Sequence, residues 1–556
     1  MFDYKANPFY LNDNEIKWVE DTYEGMSLEE KLGQLFCPIV FTKDEKELKE
    51  LVQEKHIGGM LYREGPGEEL RQAHKVLQDA AKIPLLTASN LEYGGNGSAI
   101  EGTYFGREML VAATQDTEKA YQLGKVSCSE GAAVGVNWSF APVVDLDQNY
   151  HNPIGNDQQT VINMGKAYIK AAQEEGVATS VKHFPGDGVD ERDQHLLTSV
   201  NSLSCEEWDK TYGKIYEEMI EAGTLTVMAA HIAMPAYEEY FDKKPCERII
   251  PATLSKNLMK HLLREKLGFN GLITTDATPM VGFCSAEERK KAVPLCIENG
   301  CDVILFNRNM EEDMQYMADG YKNRILSDER LEEAVKRILA TKAAMKLPQK
   351  KAEGTLVPGS EALDILKCEK HDAWAKECAD QGVTLVKDTQ NLFPLNSEKQ
   401  KRVLLEIMGD FPSNERVTAY FKAKLEKEGF EVTVYEKEGF EVMEDTVESF
   451  KSRYDLVLYL ANIETASNKT VSRLNWHTMF GLGNNMPWMV HELPVAFVSI
   501  GNPYHLLDAP MVKTYINGYC NSEYVMDAVV EKMMGRSEFK GKSPIDPFCG
   551  KIDLKF

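Results

Sequence analysis

The sequence predicts an α/β protein: an N-terminal (β/α)8 barrel of the TIM type over residues 1–347, then a smaller C-terminal α/β sandwich domain over 371–556. Three observations predict it. Through the first two thirds of the chain, short apolar or β-branched runs that end in a polar residue alternate with helical stretches, the mark of a parallel sheet. Eight such runs fit within about 310 residues, the span of a (β/α)8 barrel with insertions. Pro348, Gly354, Pro358 and Gly359 then mark 348–370 as a linker, beyond which the alternation resumes.

The predicted barrel strands are Gln34–Val40, Gly58–Tyr62, Pro84–Asn90, Val136–Pro142, Ala178–Phe184, Leu225–His231, Leu272–Asp276 and Asp302–Phe306. Between them lie amphipathic stretches such as Glu68–Ala81 and Ile162–Gly176, with apolar residues three and four apart. Glycine closes several helices just before a strand, as in KLGFNGLITTD and IENGCDVILF. A doubly wound open sheet is the competing arrangement. In the second domain GVTLVKD, RVLLEIMGD, FEVTVYE, YDLVLYLAN and PVAFVSIGNPY read as strands and Thr418–Glu428 as a helix. Asn475–Trp488 reads as a loop, either an ordinary surface one or one whose Trp476 or Trp488 covers the barrel mouth.

Composition narrows the function. The 556 residues carry a formal charge of −24, which disfavours nucleic acid and anionic membrane surfaces as partners. Eleven cysteines without a CxxC pair fit neither a disulfide framework nor a zinc ribbon. The polar, acidic start shows no secretory h-region, and no run of ~18 uncharged apolar residues suggests a membrane span. A cytoplasmic enzyme is the expectation.

A barrel places its chemistry at the carboxyl ends of its strands. Those ends hold Tyr62, Arg63, Asn90, Asn137, Trp138, Lys182, His183, His231 and Asp276, a polar, aromatic and hydroxyl-binding set. The strongest local signal is SVKHFPGDGVDERDQH, Ser180–His195. A strand end runs into Lys182-His183, breakers follow, and the loop then carries Asp193 and His195 two residues apart. These are either solvated loop charges or a carboxylate that orients an imidazole. A metal site from His183, Asp187, Asp193 and His195 lacks HExxH or HxH spacing, so no metal or other cofactor is expected. Asp276 in GLITTDATPM either faces the barrel mouth or caps the next helix.

In order along the chain come LEEKLGQLF, IGGMLYR, ASNLEYGG, GVNWSFAPVVDLD, KHFPGDG with RDQH, AAHIAMPA, GFNGLITTDATPM and GVTLVKD. With these blocks the chain resembles glycoside hydrolase family 3, in the branch of bacterial β-N-acetylglucosaminidases, from about residue 25 onward. The resemblance implies Asp276 as nucleophile, Asp193 and His195 as the acid/base dyad, and Lys182 and His183 as hydroxyl-binding groups, with Asn90 at a further sugar-binding position; Arg63 and His231, as strand-end residues, are the other expected substrate contacts. It implies a retaining, exo-acting enzyme that removes a terminal β-linked N-acetylglucosamine-type sugar through a covalent glycosyl-enzyme. An imidazole, with an ordinary pKa of ~6.5, serves as acid and base near neutrality and is uncharged as a base. Phosphorolysis of a β-N-acetylglucosaminide or β-glucoside is therefore the second expectation and a non-catalytic sugar-binding relative the third. Retention of both Asp276 and His195 argues against the last. Two positions depart from the family pattern: Asn90 stands where Asp is usual, and HNPIGNDQQ (His151–Gln159) lacks the usual Arg, for which Arg63 or Arg192 is the substitute at hand.

Overall fold

The computed structural model describes residues 2–147, 156–409, 412–435, 446–463, 470, 472–476, 478–479, 482–483 and 485–556. Two compact units emerge: Met1–Tyr104 with Ala120–Asp372, and Phe105–Lys119 with Ala373–Phe556.

The first unit is the eight-stranded parallel barrel. Its strands are β1 (Phe36–Cys37), β2 (Gly59–Leu61), β3 (Leu86–Ser89), β4 (Trp138–Ser139), β5 (Ala178–Phe184), β6 (Thr226–Ala229), β7 (Leu272–Ala277) and β8 (Val303–Leu305). They pair in the order β1-β8-β7-β6-β5-β4-β3-β2, and a parallel bridge between Ile39 and Leu61 joins the two ends. Each strand lies within a predicted run except β7, which continues one residue further, to Ala277. The runs are rich in apolar and β-branched residues because parallel strands are covered on both faces. Trp138 fills the interior, its Nε1 donating to Thr226 Oγ1 at 2.9 Å, with Phe140 edge-on to it and Phe306 beyond Phe140. The interior is therefore a packed floor under the carboxyl ends of the strands.

The amino end is closed by ions. Asp302, fully buried just before β8, accepts from Arg264 Nη2 at 2.6 Å, Arg330 Nη2 at 2.5 Å and the Ile273 amide at 2.8 Å. Arg337 stands 3.9 Å away and pairs with Glu333.

The segment expected as a linker carries a helix, Leu347–Glu353, and a 3-10 turn, Ser360–Ile365, and lies within the first unit. Buried Glu130 ties its end down, accepting from Thr103 Oγ1 at 2.6 Å, the Lys367 amide at 3.1 Å and His371 Nδ1 at 2.7 Å.

The second unit is built on a six-stranded mixed sheet. Its strands are β9 (Thr384–Asp388), β10 (Arg402–Met408), β11 (Glu431–Val434), β12 (Leu456–Ala461), β13 (Val495–Ser499) and β14 (Thr514–Asn517), paired β9-β14-β13-β12-β10-β11. Only β9 runs antiparallel to its neighbour. β14 is an addition to the strands read from sequence. On one face Tyr459, Phe497 and Tyr515 stack in a row, 5.6 and 5.4 Å between ring centres. Trp476 joins this cluster through Tyr459 and donates to the Asp508 carbonyl at 3.1 Å, while Trp488 packs on Phe450. Among the described residues no helix is long and apolar enough to cross a membrane.

Candidate active site

β7 delivers Asp276 to the mouth of the barrel. Its Oδ1 accepts from the Ala277 amide at 2.6 Å, whereas Oδ2 is buried with no partner among the described residues. Burial works to raise this carboxyl, but the nearby imidazoles of His183, His231 and His195 outweigh it and hold the group below the usual carboxylate range. Side chains from β5, from the loop after β5 and from the end of β6 thus share one electrostatic environment with the end of β7.

The chain after Asp276 is clamped from both sides. On one side His231, fully buried, places Nε2 2.9 Å from the Ala277 carbonyl and Nδ1 3.0 Å from Thr253 Oγ1. A carbonyl only accepts, so Nε2 carries a proton. Burial pushes its pKa down despite the attraction of Asp276. On the other side Arg289 donates to the Thr278 carbonyl at 3.0 Å and to its Oγ1 at 2.9 Å, and is itself held by Asp313 through two 2.6 Å bonds.

β5 ends in Lys182 and His183. Lys182 Nζ pairs with Glu92. His183 is fixed by Asp145, which accepts from its amide at 3.1 Å and its Nδ1 at 2.7 Å, and from the Asp187 amide at 2.8 Å. Burial works to lower the pKa of His183, but the Asp145 carboxylate overrides it and the net shift is upward. The loop then turns at Gly186 and Gly188, both at positive φ. A Cβ at these positions falls 2.1 Å from the Tyr212 ring and 1.9 Å from the Leu146 carbonyl, so no other residue fits.

Asp190 pins the middle of the loop by accepting from the Arg192 amide and guanidinium and from the Val200 amide. The chain then makes a turn in which Asp193 Oδ1 accepts from the His195 amide at 2.8 Å and from His195 Nδ1 at 2.7 Å. With Nδ1–H given to the carboxylate, Nε2 is the nitrogen left to exchange a proton. The His195 carbonyl accepts from the Val281 amide at 3.0 Å, and Thr198 Oγ1 donates to the Gly282 carbonyl at 2.8 Å, docking the loop on the segment that follows Asp276.

Of the residues expected from sequence, Asp276, His195, Asp193, Lys182, His183 and His231 gather at this mouth. Both ring nitrogens of His231 are engaged within the protein, so it supports the Asp276 segment and has none left for a sugar hydroxyl. Asn90, half-buried at the end of β3, makes no side-chain hydrogen bond among the described residues. Arg63 is exposed beyond β2, and Arg192 is spent on Asp190. Of His151–Gln159, residues 151–155 lie outside the described residues. Sequence reasoning missed Asp145, Glu92, Gln194 (whose Oε1 accepts from the His231 amide at 2.9 Å) and the Arg289–Asp313 pair. Asp145 had a visible signal, a carboxylate just past the strand run in APVVDLD, and Glu92 and Gln194 lie within the blocks ASNLEYGG and RDQH; the Arg289–Asp313 pair had none. A cavity of about 310 Å³ lined by Lys75, Asp79 and Lys351 lies on the helix Gly67–Ala80 and includes none of these residues.

The sequence profile described as "Glycosyl hydrolase family 3 N terminal domain" matches residues 27–341. A relative from Cellulomonas fimi, "Beta-N-acetylglucosaminidase/beta-glucosidase", is 42% identical over 567 aligned positions that cover 100% of both chains. The solved structure "Beta-glucoside phosphorylase BglX bound to 2FGlc" superposes with a TM-score of 0.93 at 43% identity, covering 98% of this chain and 99% of the other. A β-N-acetylglucosaminidase from Paenibacillus sp. str. FPU-7 shares the fold, with a TM-score of 0.77 at 23% identity over 94% of this chain and 99% of the other.

Proposed function

We propose a specific reaction for this chain, which belongs to glycosyl hydrolase family 3 and is a β-glycoside-cleaving enzyme: a terminal β-linked glucose-type residue passes from its aglycone to Asp276 and then to inorganic phosphate. In the first step Asp276 Oδ2 attacks the anomeric carbon. The electron pair of the glycosidic bond goes to the leaving oxygen, which takes the proton of His195 Nε2. In the second step a phosphate oxygen attacks the same carbon, the carboxylate of Asp276 departs with its electron pair, and the phosphate proton passes to His195. Two inversions retain the configuration and yield a β-sugar 1-phosphate.

The observation that carries this reading is the imidazole of His195 on Asp193, in the place where a glycosidase ordinarily has a second carboxyl group. In the second step a base meets an incoming anion. A carboxylate about 4 Å from one negative charge costs about 4 kcal/mol at an effective dielectric of 20, and a neutral imidazole avoids that term. The likeness to a β-glucoside phosphorylase at 43% identity over nearly the whole chain supports phosphate as acceptor. The neutral Asn90 and the double name of the Cellulomonas fimi relative support β-glucosides as first substrates and β-N-acetylglucosaminides as second. Lys182 and His183, the latter held in place by the Asp145 carboxylate, bind the glycone hydroxyls. Asp193 holds His195 in its working tautomer and stabilises its charged form, as the acid of a Ser-His-Asp triad does.

Plain hydrolysis is the second reading, favoured by the glycosidase name of that same relative. A panel of nitrophenyl β-glycosides assayed with and without phosphate decides between them. Faster turnover and a sugar 1-phosphate product support the proposal; free sugar at a phosphate-independent rate overturns it.

A further inference from the structure

Arg63 and Arg308 are the two arginines whose side chains make no ion pair, hydrogen bond or ring contact among the described residues; every other arginine side chain has a partner inside the protein. In a chain of net charge −24, where acidic groups are abundant, two exposed guanidiniums without a carboxylate are unusual, and both stand at the mouth of the barrel. Arg63 follows β2 and Arg308 follows β8, the two neighbours of β1. Two strand spacings separate the ends of β2 and β8 by about 10 Å, a span within the combined reach of two arginine side chains. The acidic residues that follow Arg308 in sequence are occupied: Glu311 binds Lys55, Glu312 accepts from Tyr316, and Asp313 binds Arg289. Lys43, which follows β1, is paired with Glu69.

A second observation lies beside Arg308. Among the described residues Asn307 buries both polar atoms of its amide, Oδ1 and Nδ2, without a hydrogen-bond partner, and a buried amide left unpaired is costly unless a ligand engages it. The loop that carries the two residues is tied to the Asp276 segment. The Arg308 amide donates to Asp313 Oδ2 at 3.0 Å, and the same carboxylate holds the Arg289 that grips Thr278. Register brings Leu305 of β8 beside Ala277 of β7, so Asn307 and Arg308 stand at the height of the reacting end of the barrel.

We infer that Arg308 and Arg63, with the amide of Asn307, form the docking site of the attacking phosphate: guanidinium forks bind its oxygens while Asp276 holds the sugar. This rests on phosphate being the acceptor, as proposed above. The test measures the two half-reactions of Arg308→Ala, Arg63→Ala and Arg308→Lys separately, with the nitrophenol burst in the absence of phosphate reporting the first and kcat/KM for phosphate the second. The expected result is a loss in kcat/KM for phosphate at least tenfold larger than any loss in the burst rate for both alanine variants. Arg308→Lys, which keeps charge without the fork, should recover part of it. Phosphate dependence like that of the unmodified chain in both alanine variants, or equal losses in both half-reactions, overturns the docking site while leaving phosphorolysis intact. Absence of any phosphate effect on the unmodified chain overturns phosphorolysis and this inference together. Should an alanine variant fail to fold, Arg308→Lys with sulfate as a competitor of phosphate gives the same reading: an unchanged sulfate inhibition constant contradicts the docking site, and a weakened one supports it.

Discussion

Asp302 and Asp276 stand one strand apart at opposite ends of the same barrel, and their surroundings differ in kind. Asp302, before β8, is gripped by Arg264, Arg330 and a backbone amide, with Arg337 in a second rank. Asp276, at the end of β7, has one backbone bond on one oxygen and none on the other. The first arrangement cancels charge at the amino end, where a barrel is held together. The second leaves charge uncancelled at the carboxyl end, where a barrel acts. Three imidazoles keep Asp276 ionised without covering the oxygen that attacks. An acid that is fully paired stabilises a fold; one that is half paired is available to a substrate.

The largest effect expected from this contrast is that of Asp276→Ala, which should lower kcat/KM for a nitrophenyl β-glucoside by roughly 10⁴-fold or more with little change in Tm. Next, His195→Ala should cost about 10²–10⁴-fold on alkyl glycosides and much less on dinitrophenyl glycosides, which leave without a proton. Equal losses on both substrates contradict its role as acid. At the other end, Asp302→Ala strands buried guanidiniums and should cost about 3–5 kcal/mol of stability, read as a lowered Tm, while the folded fraction keeps its activity.

Asp145→Asn sharpens the comparison further. The pKa of His183 is raised in the folded protein, so the stability its ion pair contributes is fully present below the ordinary histidine value of ~6.5 and fades as pH climbs through the raised value. The variant should lose stability most below ~6.5, and its KM for the glycoside should begin to rise at a lower pH than in the unmodified chain. The smallest effect is expected in the second unit. Glu406 on β10 is 2% exposed, and burial pushes its carboxyl up to about 8. A raised carboxyl costs stability as pH rises from its ordinary value of ~4.3 towards 8. Glu406→Gln should therefore gain roughly 1–3 kcal/mol at pH 7 and flatten the pH dependence of Tm over that window.

What was legible in the sequence is what is written locally. The barrel strands show as apolar runs because both faces are buried, and Asp193 sits two residues from the His195 it binds. Asp145 lies 38 residues from His183, and Asp313 lies 24 from Arg289, so nothing in either segment announces its partner. The same distance hid the fate of His231, whose nitrogens are claimed by Thr253 and Ala277. The four-residue strand β14, TYIN, is too short for a pattern to show. That Phe105–Lys119 packs with the second unit is a tertiary choice its own residues do not signal.

The central claim is that Asp276 and His195 act on one anomeric carbon. An activated 2-fluoro-glucoside, which slows departure of the sugar from the enzyme, followed by mass analysis of the peptide that contains Asp276, tests it most directly. The expected result is a covalent fluoroglucosyl group on Asp276, released faster by phosphate, with that release lost in His195→Ala. A label on any other residue, or release by phosphate that is untouched by the loss of His195, contradicts it.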